Sequence, residues 1–211
     1  MASQRQPTAE RRRQIAEAAL RIIGREGVKR LTAAEIGREV GIADATVFRH
    51  YRNKQEIVLA AIELMHELLF DGTPPADPDP IDRLRTFFDR RLDLVRTRPE
   101  MVQFALNDRL LEAAGPDGVK RLFEIMQRSG AFVEGCLLEA QQRRLIAPTL
   151  ALRSLTLVFL GTLHSTAFAV CKPACATLMP IDPACVWSTL EALLRGSGGE
   201  AVEAGSHLAE A

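Results

Sequence analysis

Thr32-Ala33-Ala34-Glu35-Ile36-Gly37-Arg38-Glu39-Val40-Gly41-Ile42-Ala43-Asp44-Ala45-Thr46-Val47-Phe48-Arg49-His50-Tyr51-Arg52-Asn53-Lys54 is the stretch on which the fold turns. It opens as a helix. The Thr32 hydroxyl can cap the amide of Glu35 while the Glu35 carboxylate returns to the Thr32 amide, a reciprocal cap of two otherwise orphaned donors. Ile36 and Val40 fall on one face, and Gly41 ends the helix. Beyond Gly41-Ile42-Ala43 a second helix of only two turns runs from about Asp44 to His50. Two such helices joined by a glycine turn predict a helix-turn-helix. That unit needs a small residue where the helices approach, a turning glycine, and apolar residues that lock the second helix to the first. Gly37, Gly41 and the pair Ile42 and Val47 supply them. The outward face then presents Asp44, Ala45, Thr46, Phe48, Arg49 and His50.

Working outward, Ile15, Ala19, Ile22 and Ile23 recur at helical spacing in a helix from about Thr8 to Glu26, stopped by Gly27. Asn53-Lys54-Gln55-Glu56 repeats the capping pattern and launches a fourth helix through Phe70. Residues 71–80, rich in Pro and Asp, interrupt the pattern but need not form a free linker. Further helices are predicted near 80–97, 99–114, 117–145, 150–171 and 183–195, with Pro80, Pro99, Pro116 and Pro183 suited to first helical positions. No strand pattern or internal repeat stands out. The fold class is therefore all-α: a three-helix head with a helix-turn-helix, then a larger helical domain. The divisions are 1–54 for the head, with helix 4 (54–70) connecting, and 55–195 for the second domain. A Gly-, Ala- and Glu-rich tail, 196–211, is expected to be disordered.

Formal net charge is zero over 211 residues, but it is unevenly placed. Residues 1–54 carry 12 Lys/Arg against 6 Asp/Glu, and the remainder is equally negative. A basic head on an acidic body points to a localised polyanion site. The polar, Arg-rich start predicts no signal peptide. The apolar run Leu155–Cys171 is short for a membrane span and is expected to be a buried helix, with no membrane association. A cytoplasmic protein with reduced thiols follows from this reading.

The quoted stretch resembles the DNA-binding signature of the TetR family of bacterial transcriptional regulators, over about the first quarter of the chain. The resemblance implies a homodimer that sets two recognition helices in successive major grooves of a near-palindromic double-stranded operator. It also implies a C-terminal domain that binds a small-molecule effector and controls release from DNA, in a protein localised to the cytoplasm and nucleoid. Carried over to these positions, Thr32 and Lys54 would hold phosphates, and Thr46, Phe48 and His50 would occupy recognition-helix contact positions. Tyr51 would touch phosphate or plug the three-helix core. Phe48 stands where Tyr is commoner, Ala43 where a Ser-like cap is usual, Ala34 at a position that in some members reads a base, and Gly37 where Ala is usual. The alternative within the same fold is a nucleoid-associated protein that acts through a protein partner in division control.

Other residues leave alternatives open. Asp44 could cap the recognition helix or accept a hydrogen bond from a cytosine amine. The run Arg11-Arg12-Arg13, with Arg5 before it, could reach the minor groove or form a solvated helix face. Phe87, Phe88, Met101, Phe104, Phe123, Met126, Phe132, Phe159 and Phe168 are core or, in part, an effector cavity to which His164 could contribute. The last two helices, within residues 150–195, carry few charges and are expected to form the dimer interface. Cys171-Lys172-Pro173-Ala174-Cys175, with Cys185 and His164, could sense metal or thiols. Their spacing is not a zinc pattern, however, and Pro173 would break the aligning helix; Cys136 and the others serve equally as small buried hydrophobes. No metal, cofactor or enzyme activity is expected, since no nucleophile, carboxylate pair or phosphate loop stands out.

Overall fold

The computed structural model of the protein describes residues 8–72, 74–171 and 180–196. The elements in order are α1 (Thr8–Glu26), a 3-10 turn (Val28–Arg30), α2 (Ala33–Val40), α3 (Asp44–His50), α4 (Lys54–Phe70), α5 (Pro80–Thr97), α6 (Glu100–Ala105), α7 (Leu110–Gln142), α8 (Leu152–Cys171) and α9 (Pro183–Gly196). The all-helical expectation holds for the described residues. Cys175 and the tail beyond Gly196, like Arg5, lie outside them. The chain divides into two compact units, Met1–Asp71 with Leu94–Met126, and Gly72–Asp93 with Gln127–Ala211. This packing division differs from a functional division at residue 54, because α4, α6 and the first part of α7 share the core of the head.

In the first unit α1 is the hub. Ile15, Ala16, Ala18, Ala19, Leu20, Ile22 and Ile23 are all buried, a far wider face than the four-residue stripe visible in the sequence, because α2, α4 and α6 surround the helix. α2 and α4 are each started by a side chain. Thr32 Oγ1 accepts from Glu35 N at 3.1 Å, and Asn53 Oδ1 accepts from Glu56 N at 2.9 Å. The return halves of both capping boxes go elsewhere: Glu35 pairs with Arg38, and the Glu56 carboxylate accepts from Arg52 N at 2.9 Å. Gly41 ends α2 in the left-handed conformation, φ 74°, where a glycine carries no Cβ penalty.

One helix expectation needs correction. The helix expected over 99–114 is broken, since α6 stops at Ala105 and α7 starts at Leu110. The Asn107 carboxamide takes the Arg109 amide at 3.2 Å in between. The break expected between residues 114 and 117 is present: two helices meet at a kink at Gly115, whose φ of 65° and ψ of −175° are not helical. Of the four prolines, Pro80 and Pro183 open their helices and Pro99 caps one from outside.

The second unit packs the N-terminal part of α5 with the later part of α7, α8 and α9. The segment before α5 is tied to it: Asp79 Oδ1 accepts from Ile81 N at 2.7 Å, and Asp77 Oδ2 accepts from Thr86 Oγ1 at 3.0 Å. Aromatic rings fill the centre, with Phe87 stacked on Phe132 at 5.1 Å and Phe88 against Trp187 at 5.7 Å. Phe159 meets Phe88 and Trp187 edge-on, at 6.4 and 6.5 Å. The buried-helix expectation for the apolar run is not met within one chain. α8 is long and apolar enough by length and composition to cross a membrane, and only 22% of its most apolar window is buried. Leu157 and Val158 are 73% and 55% exposed.

Candidate nucleic-acid interface

Three devices hold α3 against α2. Ile42 N donates to Gly37 O at 2.9 Å, closing the turn. Val47 is fully buried in the head core, with Ile36. At Gly37, a Cβ would stand 2.6 Å from Ile42 O and 3.3 Å from Asp44 N, so the two helices approach more closely than an alanine there would allow. The glycine that departs from the usual alanine is thus explained by this close turn.

The opposite face of α3 is open. Asp44, Ala45, Phe48 and Arg49 are exposed, and Thr46 and His50 are half-exposed. Phe48 is the largest apolar group on it, at 57% exposure. Thr32 at the start of α2 and Lys54 at the start of α4 are exposed as well. Lys54 already donates to Val28 O at 2.7 Å, which anchors its ammonium beside the 3-10 turn and leaves further N–H donors for an anion. Tyr51 is the exception. It is buried, its hydroxyl donates to Arg12 O at 3.0 Å, and the Arg12 guanidinium lies 4.1 Å over its ring. Burial raises the Tyr51 pKa despite that neighbouring cation, so the phenol stays neutral in the core.

Asp44 does not stand at the N-cap, which is Ala43 and makes no side-chain cap bond. It occupies the first helical position, and its Oδ1 accepts from Ala45 N at 2.7 Å. The carboxylate therefore serves its own helix start, where the amide dipoles favour a negative group. The arginine run is also engaged within the chain. Arg12 donates to His50 O, Arg13 meets Glu67 at 2.8 Å, and Arg11 meets Gln14 at 2.9 Å. Between α1, the end of α3 and α4 lies a cleft of about 810 Å³ whose walls include Arg12 and Arg13 but also Glu56, Glu63 and Glu67.

The candidate effector residues are not brought together. Met101 and Phe104 are buried in the core of the first unit, and Phe123 and Met126 are 57% and 66% exposed. Helical spacing on α7 predicts core for Phe123 and Met126, but among the described residues they stand largely uncovered. In the second unit Phe87, Phe88 and Phe159 are buried together. His164 is exposed and Phe168 is 37% exposed at the edge of α8. Burial of part of its ring, and then the nearby Arg91 charge, lower the His164 pKa. Of the cysteines, Cys136 is buried, Cys171 is half-buried and Cys185 is exposed, with its thiol 3.3 Å from Asp182 Oδ2.

The family described as bacterial regulatory proteins, tetR family, matches residues 15–61, from the middle of α1 into α4. Residues 15–61 are a tetR-family DNA-binding region. The HTH-type transcriptional regulator TtgR of Pseudomonas putida is 40% identical over 58 residues, 28% of either chain. The nucleoid occlusion factor SlmA of Aliivibrio fischeri is 30% identical over 86 residues, 40% of this chain and 43% of that one. The chain thus spans 28% and 43% of the length of these two relatives, and the likeness falls on part of each. A likeness in fold extends further. AibR, in a crystal structure with isovaleryl coenzyme A and operator DNA, superposes with a TM-score of 0.70 at 20% identity over 88% of this chain and 98% of that one.

Proposed function

We propose that the protein is a DNA-binding transcriptional regulator, a repressor released from its operator by a small-molecule effector and acting as a homodimer in the cytoplasm. The observation that carries this reading is the open outer face of α3. It is held rigidly on α2 within a TetR-family head, while the same head buries Tyr51 and occupies its arginine run internally. Thr46, Phe48, Arg49 and His50 read the major groove, and Thr32 and Lys54 hold phosphate on either side. The second unit takes the effector, as AibR takes isovaleryl coenzyme A. The exposed apolar faces of α8 and α9 join two copies. Genome-wide occupancy tests this directly. One or a few promoters should be bound, and the SlmA likeness makes many dispersed sites the outcome that would replace a regulator with a nucleoid-associated, division-control protein.

Asp44 supplies a sharper test of how the operator is read. Its carboxylate is turned to the Ala45 amide, so Asp44→Asn should leave base preference unchanged. Nonspecific affinity should rise slightly, because one negative charge leaves a phosphate-facing surface. Site selection run on both proteins measures this. Preference relaxed at one symmetric pair of positions would reassign Asp44 to a cytosine amine.

A further inference from the structure

The recognition helix α3 is two turns long, and its last residue is His50, half-exposed on the open face. The start of α3 is fixed by the turn at Gly37, and its middle by Val47 in the core. Its end has a different support. Arg12 on α1 donates through Nη1 to His50 O, and its guanidinium carbon lies 4.1 Å over the Tyr51 ring. Tyr51 returns the contact: its hydroxyl donates to Arg12 O at 3.0 Å, while its amide closes α3 on Val47 O at 3.1 Å. Two residues 39 apart in the chain therefore hold each other, and the last carbonyl of α3 is tied to that pair. A cation there also meets the negative end of the helix dipole. His50 Nδ1 is enclosed by protein with no hydrogen-bond partner among the described residues, which leaves Nε2 as the ring nitrogen for a base edge. Where Nε2 lies follows from where α3 ends.

A direct bond from Arg12 to phosphate is the rival role, since the side chain is exposed. Charge and geometry favour the internal one. The cleft that Arg12 lines carries four carboxylates, Glu10, Glu56, Glu63 and Glu67, against three arginines, so it does not draw in a polyanion. One face of the guanidinium is already stacked, and one nitrogen is already bonded.

We infer that Arg12 is a positioning residue for sequence readout: locked to Tyr51, it holds the end of α3 so that His50 meets its base, and it touches no phosphate itself. This rests on the reading of the protein as a DNA-binding regulator. Preferred duplexes are selected from a random pool with the full-length wild type, Arg12→Ala and His50→Ala. Affinities for the wild type's preferred duplex and for a scrambled one are then measured by anisotropy over a range of salt. Arg12→Ala should lose roughly 10- to 100-fold on the preferred duplex, where one base contact per half-site is loosened, and less than about threefold on the scrambled one. Its salt slope should not change. Preference should relax at one symmetric pair of positions, the same pair that His50→Ala relaxes. The two losses should not add in the double variant, because both act on one contact. Arg12→Lys keeps a donor and loses the planar stack, so it should recover part of the loss. Melting curves establish that each variant folds. Should Arg12→Ala not fold, Arg12→Lys and Tyr51→Phe, which removes only the hydroxyl bond to Arg12 O, decide by the same ratio.

Equal losses on both duplexes, with a salt slope lower by about one per site, would make Arg12 a phosphate contact and overturn the assignment. Preference unchanged in the folded variants, or relaxed at positions that His50→Ala leaves alone, would overturn it as well. In each of these outcomes the regulator reading stands. A wild-type protein that enriches no duplex would overturn that reading and the role of Arg12 together.

Discussion

Leu157→Asp should convert the protein from a dimer to a 23.3 kDa monomer and lower its affinity for a full operator by roughly 10²–10⁴-fold, the factor by which linking two binding heads exceeds one. Leu157 is 73% exposed in a single chain, although α8 is apolar nearly all round. A helix of that kind is normally buried, and it lacks cover on this side. Val158 beside it is 55% exposed, and a Cβ added at Gly161, one turn on, would meet nothing within 4 Å, so a partner helix can come close along this line. Leu193 on α9 adds a further exposed leucine, at 68%. A charge placed in the middle of such a face would have to be desolvated without a partner as two copies met. Sedimentation at micromolar concentration and binding to whole and half operators measure the outcome. A Leu157→Asp protein that remains dimeric and binds its operator as before would move the interface elsewhere.

The head was legible in the sequence because its requirements are local. Thr32 and Asn53 precede the amides they cap by three residues, and Gly37 and Gly41 sit within the turn they permit. The kink at Gly115 shows the same local logic, announced by the glycine and by Pro116 after it. What stayed hidden depends on distant neighbours. Arg12 reads as one of three surface arginines, yet it covers Tyr51, 39 residues away. Arg91 reads as the polar side of an amphipathic helix, and only the placement of α7 and α8 turns it inward. Phe123 and Met126 keep helical spacing with buried residues, and no periodicity could show that among the described residues they stand largely uncovered. Even the capping boxes were half legible. Their first bonds form as expected, while Arg38 and Arg52 compete for the two glutamates at a range the pattern does not consider.

Gly24 makes the same point with a sign that can be measured. In sequence it is a weak spot inside α1, where replacing glycine by alanine should stabilise a helix by about 1 kcal/mol. In the fold it is the point at which α6 crosses. A Cβ there would lie 2.8 Å from Glu100 Cβ and 2.9 Å from the Glu100 carbonyl carbon, with the carbonyl oxygen nearer still. The nearest atoms are backbone at the first turn of α6, so no side chain can swing aside and the helix itself must shift. Overpacking of this kind costs about 1–3 kcal/mol, more than the helix propensity returns. Gly24→Ala should therefore lower stability, and Gly24→Val should lower it further. Gly135, in the body of α7, is the control: a Cβ there would meet nothing within 4 Å, so Gly135→Ala should raise stability by about 0.5–1 kcal/mol. In a chain of this size each 1 kcal/mol moves the melting temperature by roughly 2–4 °C, compared at one protein concentration because association adds to stability. Two alanines placed in two helices should thus shift the midpoint in opposite directions. If Gly24→Ala raises it as Gly135→Ala does, then α6 does not rest on α1 at this glycine, and the core of the head is packed otherwise.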